Sequence, residues 1–171
     1  MSNKLSLWEA EFIGLFIGEG YIGITKNGNQ RKISDNYTAR VQITMRDDDF
    51  PILQDIQRRL GGMVYHEGKG RMLVGADGKT RKINPFSVWR CRNTSEVAKV
   101  VAILKKGSIP SRKLDQYSVM EEFLDTFGKL GNGRGLGAAY NKMRADLNLK
   151  RAELWKKLIE LHAYSGRRTL E

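Results

Sequence analysis

The spacing of apolar side chains changes period along this chain. Residues 7 to 18 hold no proline, and Phe12, Ile13, Leu15, Phe16 and Ile17 spread apolar surface nearly all the way round a helix that starts near Leu7. Ser6 and Glu9 have capping-box spacing, each side chain covering an unpaired N–H of the first turn. Such a helix wants burial on every side. After Gly18-Glu19-Gly20 the period drops to two. Tyr21-Ile22-Gly23-Ile24-Thr25-Lys26 alternates as a strand, Asn27-Gly28-Asn29 reads as a turn, and a return strand runs from Tyr37 to Arg46. Ala39, Val41, Ile43 and Met45 form the core-facing set of that strand. Thr38, Arg40, Gln42, Thr44 and Arg46 form the outward set.

A helical period returns at Phe50, Ile52, Leu53, Ile56 and Leu60, with Asp47-Asp48-Asp49 as acidic first turn and N-cap, Pro51 at the first helical position and Gly61-Gly62 as the stop. Met63 to His66 and Phe86 to Asn93 read as a second strand pair, joined by a long segment rich in Gly, Lys and Arg. Trp89 and Cys91 are expected to face the core, and Val88, Arg90 and Arg92 to face outward. Ser95 and Glu96 open a helix through Leu104, and Arg112 to Phe127 makes another. The order is αββαββα, an α+β class. Glycines at 128, 131, 133, 135 and 137 mark a flexible linker, followed by a last helix over residues 138 to 164. Its apolar positions (140, 143, 147, 154, 158 and 161) are interleaved with Lys142, Arg144, Lys150, Arg151, Lys156 and Lys157. The expected organisation is one domain over 1–128 and, over 129–171, the linker and a basic helix packed on it.

Charge sharpens this picture. Thirty Lys and Arg against 19 Asp and Glu leave a net +11 over 171 residues, which points to a polyanionic partner. The single cysteine, Cys91, excludes a disulfide within the chain. With neither a signal-peptide pattern nor an apolar stretch of spanning length, an intracellular setting is expected, cytoplasm and organelle matrix being equally open. His66 and His162 show no ligand spacing and read as ordinary.

Two glycines inside a helix cost roughly 1 kcal/mol each relative to alanine, and close approach by a second helix is the usual compensation. Gly14 and Gly18 lie four apart on one face, and the chain holds no second copy of their pattern. The partner is therefore expected in a twin subunit, with Phe12, Gly14, Leu15 and Gly18 at the interface. Two-fold symmetry would bring two Glu19 carboxylates together at helix C-termini, where the macrodipole already disfavours negative charge. A hard divalent cation such as Mg²⁺ would relieve the repulsion and take substrate phosphates. The geometry reads as metal-assisted phosphodiester hydrolysis.

Gly14, Leu15, Gly18, Glu19 and Gly20 resemble the motif of the LAGLIDADG homing endonucleases. Glu is an acid that family also uses, and Ile17 stands where a loosely kept mid-motif acid is usual. With the element order, the resemblance covers roughly residues 5 to 127. It implies a four-stranded antiparallel saddle lying in the major groove of double-stranded DNA, and motif helices pairing two copies of a single-motif chain above the central minor groove. It further implies Mg²⁺, or Mn²⁺, held by Glu19 with the carbonyl of Gly18 or Gly20. The basic run Ser111-Arg112-Lys113 resembles the one supplying the family's active-site lysine, so Lys113, or Arg112, is expected at the scissile phosphate. A glutamine is common where Met45 stands; Gln42 or Arg46 would have to organise water instead.

The outward strand positions Tyr21, Gly23, Thr25, Lys26, Thr38, Arg40, Gln42, Thr44, Arg90 and Arg92 are candidates for base contact, since Arg pairs with guanine and Gln with adenine through two hydrogen bonds. Lys69, Arg71, Lys79, Arg81 and Lys82 are candidates for phosphate contact. The function implied is a homodimeric, Mg²⁺-dependent homing endonuclease that cuts a long, nearly palindromic site and leaves cohesive 3′ overhangs, as in intron homing. Two alternatives share the fold: a non-cleaving DNA-binding regulator, and a maturase acting on intron RNA.

Overall fold

A computed structural model describes residues 5–27, 36–68, 72–82, 84–128 and 137–166. The turn at Gly28-Asn29, residues Lys69 and Arg71, and positions 129–136 of the glycine-rich linker lie outside the described residues. The first helix, α1 (Leu7–Glu19), starts on the expected capping box: Ser6 accepts from the Glu9 N–H at 3.2 Å, and the Ser6 N–H donates to the Glu9 carboxylate at 2.9 Å. Strands β1 (Gly20–Asn27) and β2 (Asn36–Arg46) follow. A short 3-10 turn, Asp47–Asp49, leads into α2 (Phe50–Leu60). The acidic run does not cap α2 as expected, since Asp49 makes no side-chain capping bond. Asp47 instead accepts from the buried Ser87 hydroxyl and meets the His66 ring.

Beyond β3 (Met63–Glu67) the basic connection contains a small hairpin of its own, β4 (Met72–Val74) and β5 (Thr80–Lys82), before β6 (Phe86–Cys91). Helices α3 (Thr94–Leu104), α4 (Ser111–Gly128) and α5 (Ala138–Gly166) complete the chain. β6 stops at Cys91, two residues short of the expected Asn93, because Asn93 is taken as the N-cap of α3, accepting from the Ser95 N–H at 3.0 Å.

The main sheet is antiparallel throughout, in the order β1-β2-β6-β3. The register sets Gly20 opposite Ile43, Ile43 opposite Trp89 and Trp89 opposite Val64. One face therefore carries Ile22, Ile24, Ala39, Val41, Ile43 and Trp89, packed with Phe12 and Phe16 of α1, Leu53 and Ile56 of α2, Val100 and Leu104 of α3, and Tyr117 and Phe123 of α4. The alternate positions, Tyr21, Arg40, Gln42 and Arg90 among them, point to the other face. Alternation of period two in β2 makes this division, because every second side chain must change sides.

Helix α1 departs from burial on every side. Phe12, Ile13 and Phe16 are buried, whereas Gly14, Gly18 and Glu19 are exposed. Helix α5 packs through Leu147, Leu154 and Leu158, and its buried Arg151 donates to the Thr126 hydroxyl at 2.8 Å and the Thr126 carbonyl at 3.1 Å. Among the described residues no helix is long and apolar enough to cross a membrane.

Candidate nucleic-acid interface and active site

The face of the sheet turned away from the helical core presents Tyr21, Gly23 and Thr25 of β1, Thr38, Arg40, Gln42 and Thr44 of β2, Arg90 of β6 and Met63 and Tyr65 of β3. This follows from the register, which pairs Tyr21 with Gln42, Gln42 with Arg90 and Arg90 with Met63. The polar side chains form a connected layer. Arg90 Nε donates to Gln42 Oε1 at 3.3 Å, and its guanidinium lies 4.9 Å from the centre of the Tyr65 ring. The Arg40 guanidinium lies 5.2 Å from the centre of the Tyr21 ring. Arg40 Nε and the Tyr65 hydroxyl are shielded from water and have no hydrogen-bond partner among the described residues. Buried polar groups ordinarily have partners, so two open ones on this face suit a surface completed by a polar ligand. Tyr65 and Met63 escape sequence reading because β3 has only five residues and no clear alternation.

Several expected contacts change role. Gly23 offers the groove no side chain; it makes room for the Tyr21 ring, which occupies the space a Cβ would need. Lys26 pairs with Tyr37 on the helix-covered side, its ammonium 5.6 Å from the Trp155 ring of α5, so it is not an outward position. Val88 does lie on the groove side, opposite Thr44 and Tyr65, yet it is 1% exposed, covered rather than free to touch bases. Met45 packs against the core and cannot face DNA. Arg46 is exposed at the end of β2, opposite Phe86. Arg92 and Lys79 are exposed as expected, while Arg81 and Lys82 belong to the strand of the small hairpin.

The catalytic candidates gather where α1 meets β1. Glu19 ends α1 and is exposed, and Gly20 starts β1 with its N–H bonded to the Phe16 carbonyl. Lys113, in the first turn of α4, points its ammonium at this junction, 3.4 Å from the Phe16 carbonyl oxygen and 3.5 Å from that of Gly20. The C-terminus of a helix carries the negative end of its dipole, so a cation is favoured there. Burial holds the Lys113 ammonium below its ordinary pKa. Arg112 sits half-buried one residue earlier.

His162, near the end of α5, reaches the same corner. Its ring centre is 5.0 Å from that of Tyr21 and its N–H donates to the Ile22 carbonyl. Burial lowers its pKa most, the Ile22 carbonyl pulls it up, and the nearby Lys113 charge adds to the lowering. His66 is also engaged, stacked on Phe50 at 4.4 Å and 3.0 Å from both Asp47 and Ser87. Neither role can be read from spacing, since every partner is distant in sequence.

A divalent cation fits this chemistry in one particular way. Glu19 offers a hard carboxylate in solvent, and Gly18 lies in the last helical turn, where carbonyl oxygens lack intrahelical donors. Among the described residues no group of three or more His, Cys, Asp or Glu side chains could hold a metal ion. One carboxylate with carbonyls suits a cation that keeps waters and takes further oxygens from phosphate or from a second copy of the chain.

On the open face of α1, a Cβ added at Gly14 or Gly18 would meet nothing within 4 Å. Leu15 is half-buried beside them. Phe12 does not belong to this face: it is 3% exposed, stacked on Trp8 at 5.4 Å and edge-on to Trp89 at 6.2 Å, because the core claims its side of the helix.

The sequence model of the LAGLIDADG endonuclease family matches residues 12–124, and the chain belongs to that family. No curated protein matches the sequence. Among solved structures, I-SmaMI bound to uncleaved DNA target in the presence of calcium is 16% identical at a TM-score of 0.61; the match covers 96% of this chain and 50% of I-SmaMI, so this chain spans half that protein's length. The homing endonuclease I-CvuI, in complex with its target in the presence of calcium, is 16% identical at a TM-score of 0.65, with 91% and 82% covered. The homing endonuclease I-TnaI is 16% identical at a TM-score of 0.56, with 92% and 99% covered. At these identities the likeness is one of fold, and it includes the antiparallel saddle and the helices behind it.

Proposed function

We propose that this chain is a site-specific DNA endonuclease that works as a homodimer and hydrolyses one phosphodiester per subunit. The observation that carries the reading is the meeting of Lys113 with the end of the helix that bears Glu19, next to an uncovered cationic sheet face. The Ca²⁺- and DNA-bound relatives I-SmaMI and I-CvuI support the choice of ligand and of a divalent ion.

Each subunit would lay its sheet in the major groove, with Arg40, Gln42 and Arg90 reading base edges and Thr25, Thr38 and Thr44 filling between them. Lys79, Arg81, Lys82 and Arg92 would contact phosphates and make affinity salt-dependent. Glu19, with the carbonyl of Gly18, would hold Mg²⁺ or Mn²⁺. Such a cation, when bound, polarises the phosphate and activates water. The Lys113 ammonium would stabilise charge on the departing oxygen, an effect that half-burial strengthens by lowering the local dielectric. Gln42 is held by Arg90 and Arg46 is exposed, so Arg46 is the freer of the two to order water near the phosphate. Two copies joined through the glycine faces of α1 would cut opposite strands of a nearly palindromic site and leave cohesive 3′ ends.

The test is recovery of cleaved sequences from a randomised duplex library with Mg²⁺, comparing wild type with Glu19→Gln. Paired cuts by wild type alone give the activity and its site together. Specific binding without cutting by either protein, in Mg²⁺ and in Mn²⁺, would replace the nuclease with a DNA-binding regulator.

A further inference from the structure

Helix α5 lies outside the family match at residues 12–124, yet it touches β1, the edge strand of the sheet, at two points. Trp155 lies 6.1 Å from the Tyr37 ring and beneath the Lys26 ammonium, towards the far end of the β1–β2 pair. His162 meets Tyr21 and the Ile22 carbonyl at the near end. Seven helical residues rise about 10 Å, and the strand from Lys26 back to Ile22 spans about 13 Å. The helix therefore runs back along β1 and brings His162 to the start of that strand, near the Lys113 charge.

We propose that His162 is a positioning residue for cleavage, holding the first residues of β1 so that Glu19 and Lys113 keep their relative placement. The proposal rests on the endonuclease reading above. Leu154 and Leu158, both buried, fix the helix, and Trp155 and His162, seven apart, lie on a neighbouring stripe of the same side. The imidazole then restrains β1 in two ways. Its N–H takes the Ile22 carbonyl, and its ring packs on Tyr21, the second residue after Glu19. Tyr21 in turn lies against Arg40, so the same contact reaches the base-reading layer. A junction whose chemistry depends on the separation of one carboxylate and one ammonium is sensitive to small displacements.

The experiment has two arms. In DNA-free protein, hydrogen exchange is followed by mass spectrometry over residues 16–27 for wild type, His162→Ala and His162→Gln, with the β6 segment as a control for global opening. Faster exchange at 16–27 in His162→Ala alone, with β6 unchanged, is expected. Equal exchange in all three proteins overturns the proposal. In the second arm, single-turnover cleavage of the selected target is measured against protein concentration. His162→Ala is expected to lower the maximal rate roughly ten- to a hundredfold, with the half-saturating concentration little changed, in line with losses seen when a group that orients a ligand is removed. His162→Gln, whose amide N–H can still reach Ile22, is expected to recover most of the rate. A wild-type rate in His162→Ala, or a loss confined to the half-saturating concentration, overturns it. If wild type cuts nothing while the exchange difference is present, the nuclease reading fails and the clamp on β1 stands.

Discussion

The ammonium of Lys113 lies 3.4 Å from the carbonyl oxygen of Phe16, a residue 97 positions earlier in the chain. That contact fixes the first turn of α4 against the last turn of α1 and brings a half-buried cation to the residue that follows the motif acid. Burial depresses the Lys113 pKa, which means the folded state favours the neutral amine more than the unfolded chain does.

The sign of the consequence follows. Between the lowered folded value and the ordinary 10.5, the unfolded chain binds more protons than the folded one, so stability rises with pH through that window. Lys113→Met removes the dependence. At neutral pH the Met variant is expected to melt at or above the wild-type temperature, the difference shrinking towards pH 10.5. Its cleavage rate is expected to fall by about 10²- to 10³-fold, the range for losing one charge-stabilising donor. Thermal unfolding from pH 7 upward, beside single-turnover cleavage, measures both; a Met variant that melts lower at pH 7 yet cuts at the wild-type rate would make Lys113 structural.

Glu9 gives a pH dependence of the same sign in an acidic window. The Lys106 ammonium at 2.7 Å, with the Ser6 N–H and hydroxyl, lowers its pKa to about 2. A depressed carboxylate contributes stability above its unfolded value of 4.5 and loses it as pH falls towards about 2. Wild type is therefore expected to lose melting temperature over that interval more steeply than Glu9→Gln. Parallel slopes would show that the capping box and the tie to Lys106 contribute nothing that titrates. Ser6→Ala, which removes the cap itself, is expected to cost about 1 kcal/mol.

The outline of the fold was legible because its signals are local. The capping box, the alternation of Tyr37 to Arg46 and the Gly61-Gly62 stop each occupy a few adjacent residues, and each element formed there. Errors arose where a tertiary partner outbid the local one. The run Asp47–Asp49 forms a 3-10 turn that leaves α2 without a side-chain cap while Asp47 meets Ser87 and His66, and Phe12 went to the core because Trp8 and Trp89 receive it. Glu19 and Lys113 could be nominated through the family motif. His162 could not: its partners lie on β1, some 140 residues earlier, and a lone histidine on an amphipathic helix carries no pattern.

The open glycine face of α1 predicts how the oligomer responds to substitution. A Cβ at Gly18 meets nothing within 4 Å among the described residues, so Gly18→Leu is expected to leave the fold intact and to gain up to about 1 kcal/mol of helix propensity. If two α1 helices pack through this face, the same leucine separates them. Sedimentation should then show wild-type dimers and Gly18→Leu monomers with unchanged circular dichroism, and cleavage of both strands should be lost together. A dimeric Gly18→Leu protein would move the interface elsewhere.

Arg151 is 7% exposed, and its hydrogen-bond partners are neutral: the Thr126 hydroxyl at 2.8 Å, the Thr126 carbonyl at 3.1 Å and Asn148 at 3.4 Å, with the Phe127 ring 4.0 Å away. A guanidinium remains charged in a protein, so its burial has a desolvation cost that these contacts must offset. Substituting the two partners should therefore have unequal effects. Thr126→Val leaves the charge buried with its best acceptor gone, and is expected to cost about 1–3 kcal/mol. Arg151→Met removes the charge together with its desolvation cost, leaves the Thr126 carbonyl unmet, and should cost less. The double variant should be no less stable than Thr126→Val alone, because nothing charged remains to be satisfied. Urea unfolding of the four proteins measures the cycle. Losses that simply add would mean that the two residues stabilise the α4–α5 contact independently, and that the bond between them does not hold the C-terminal helix in place.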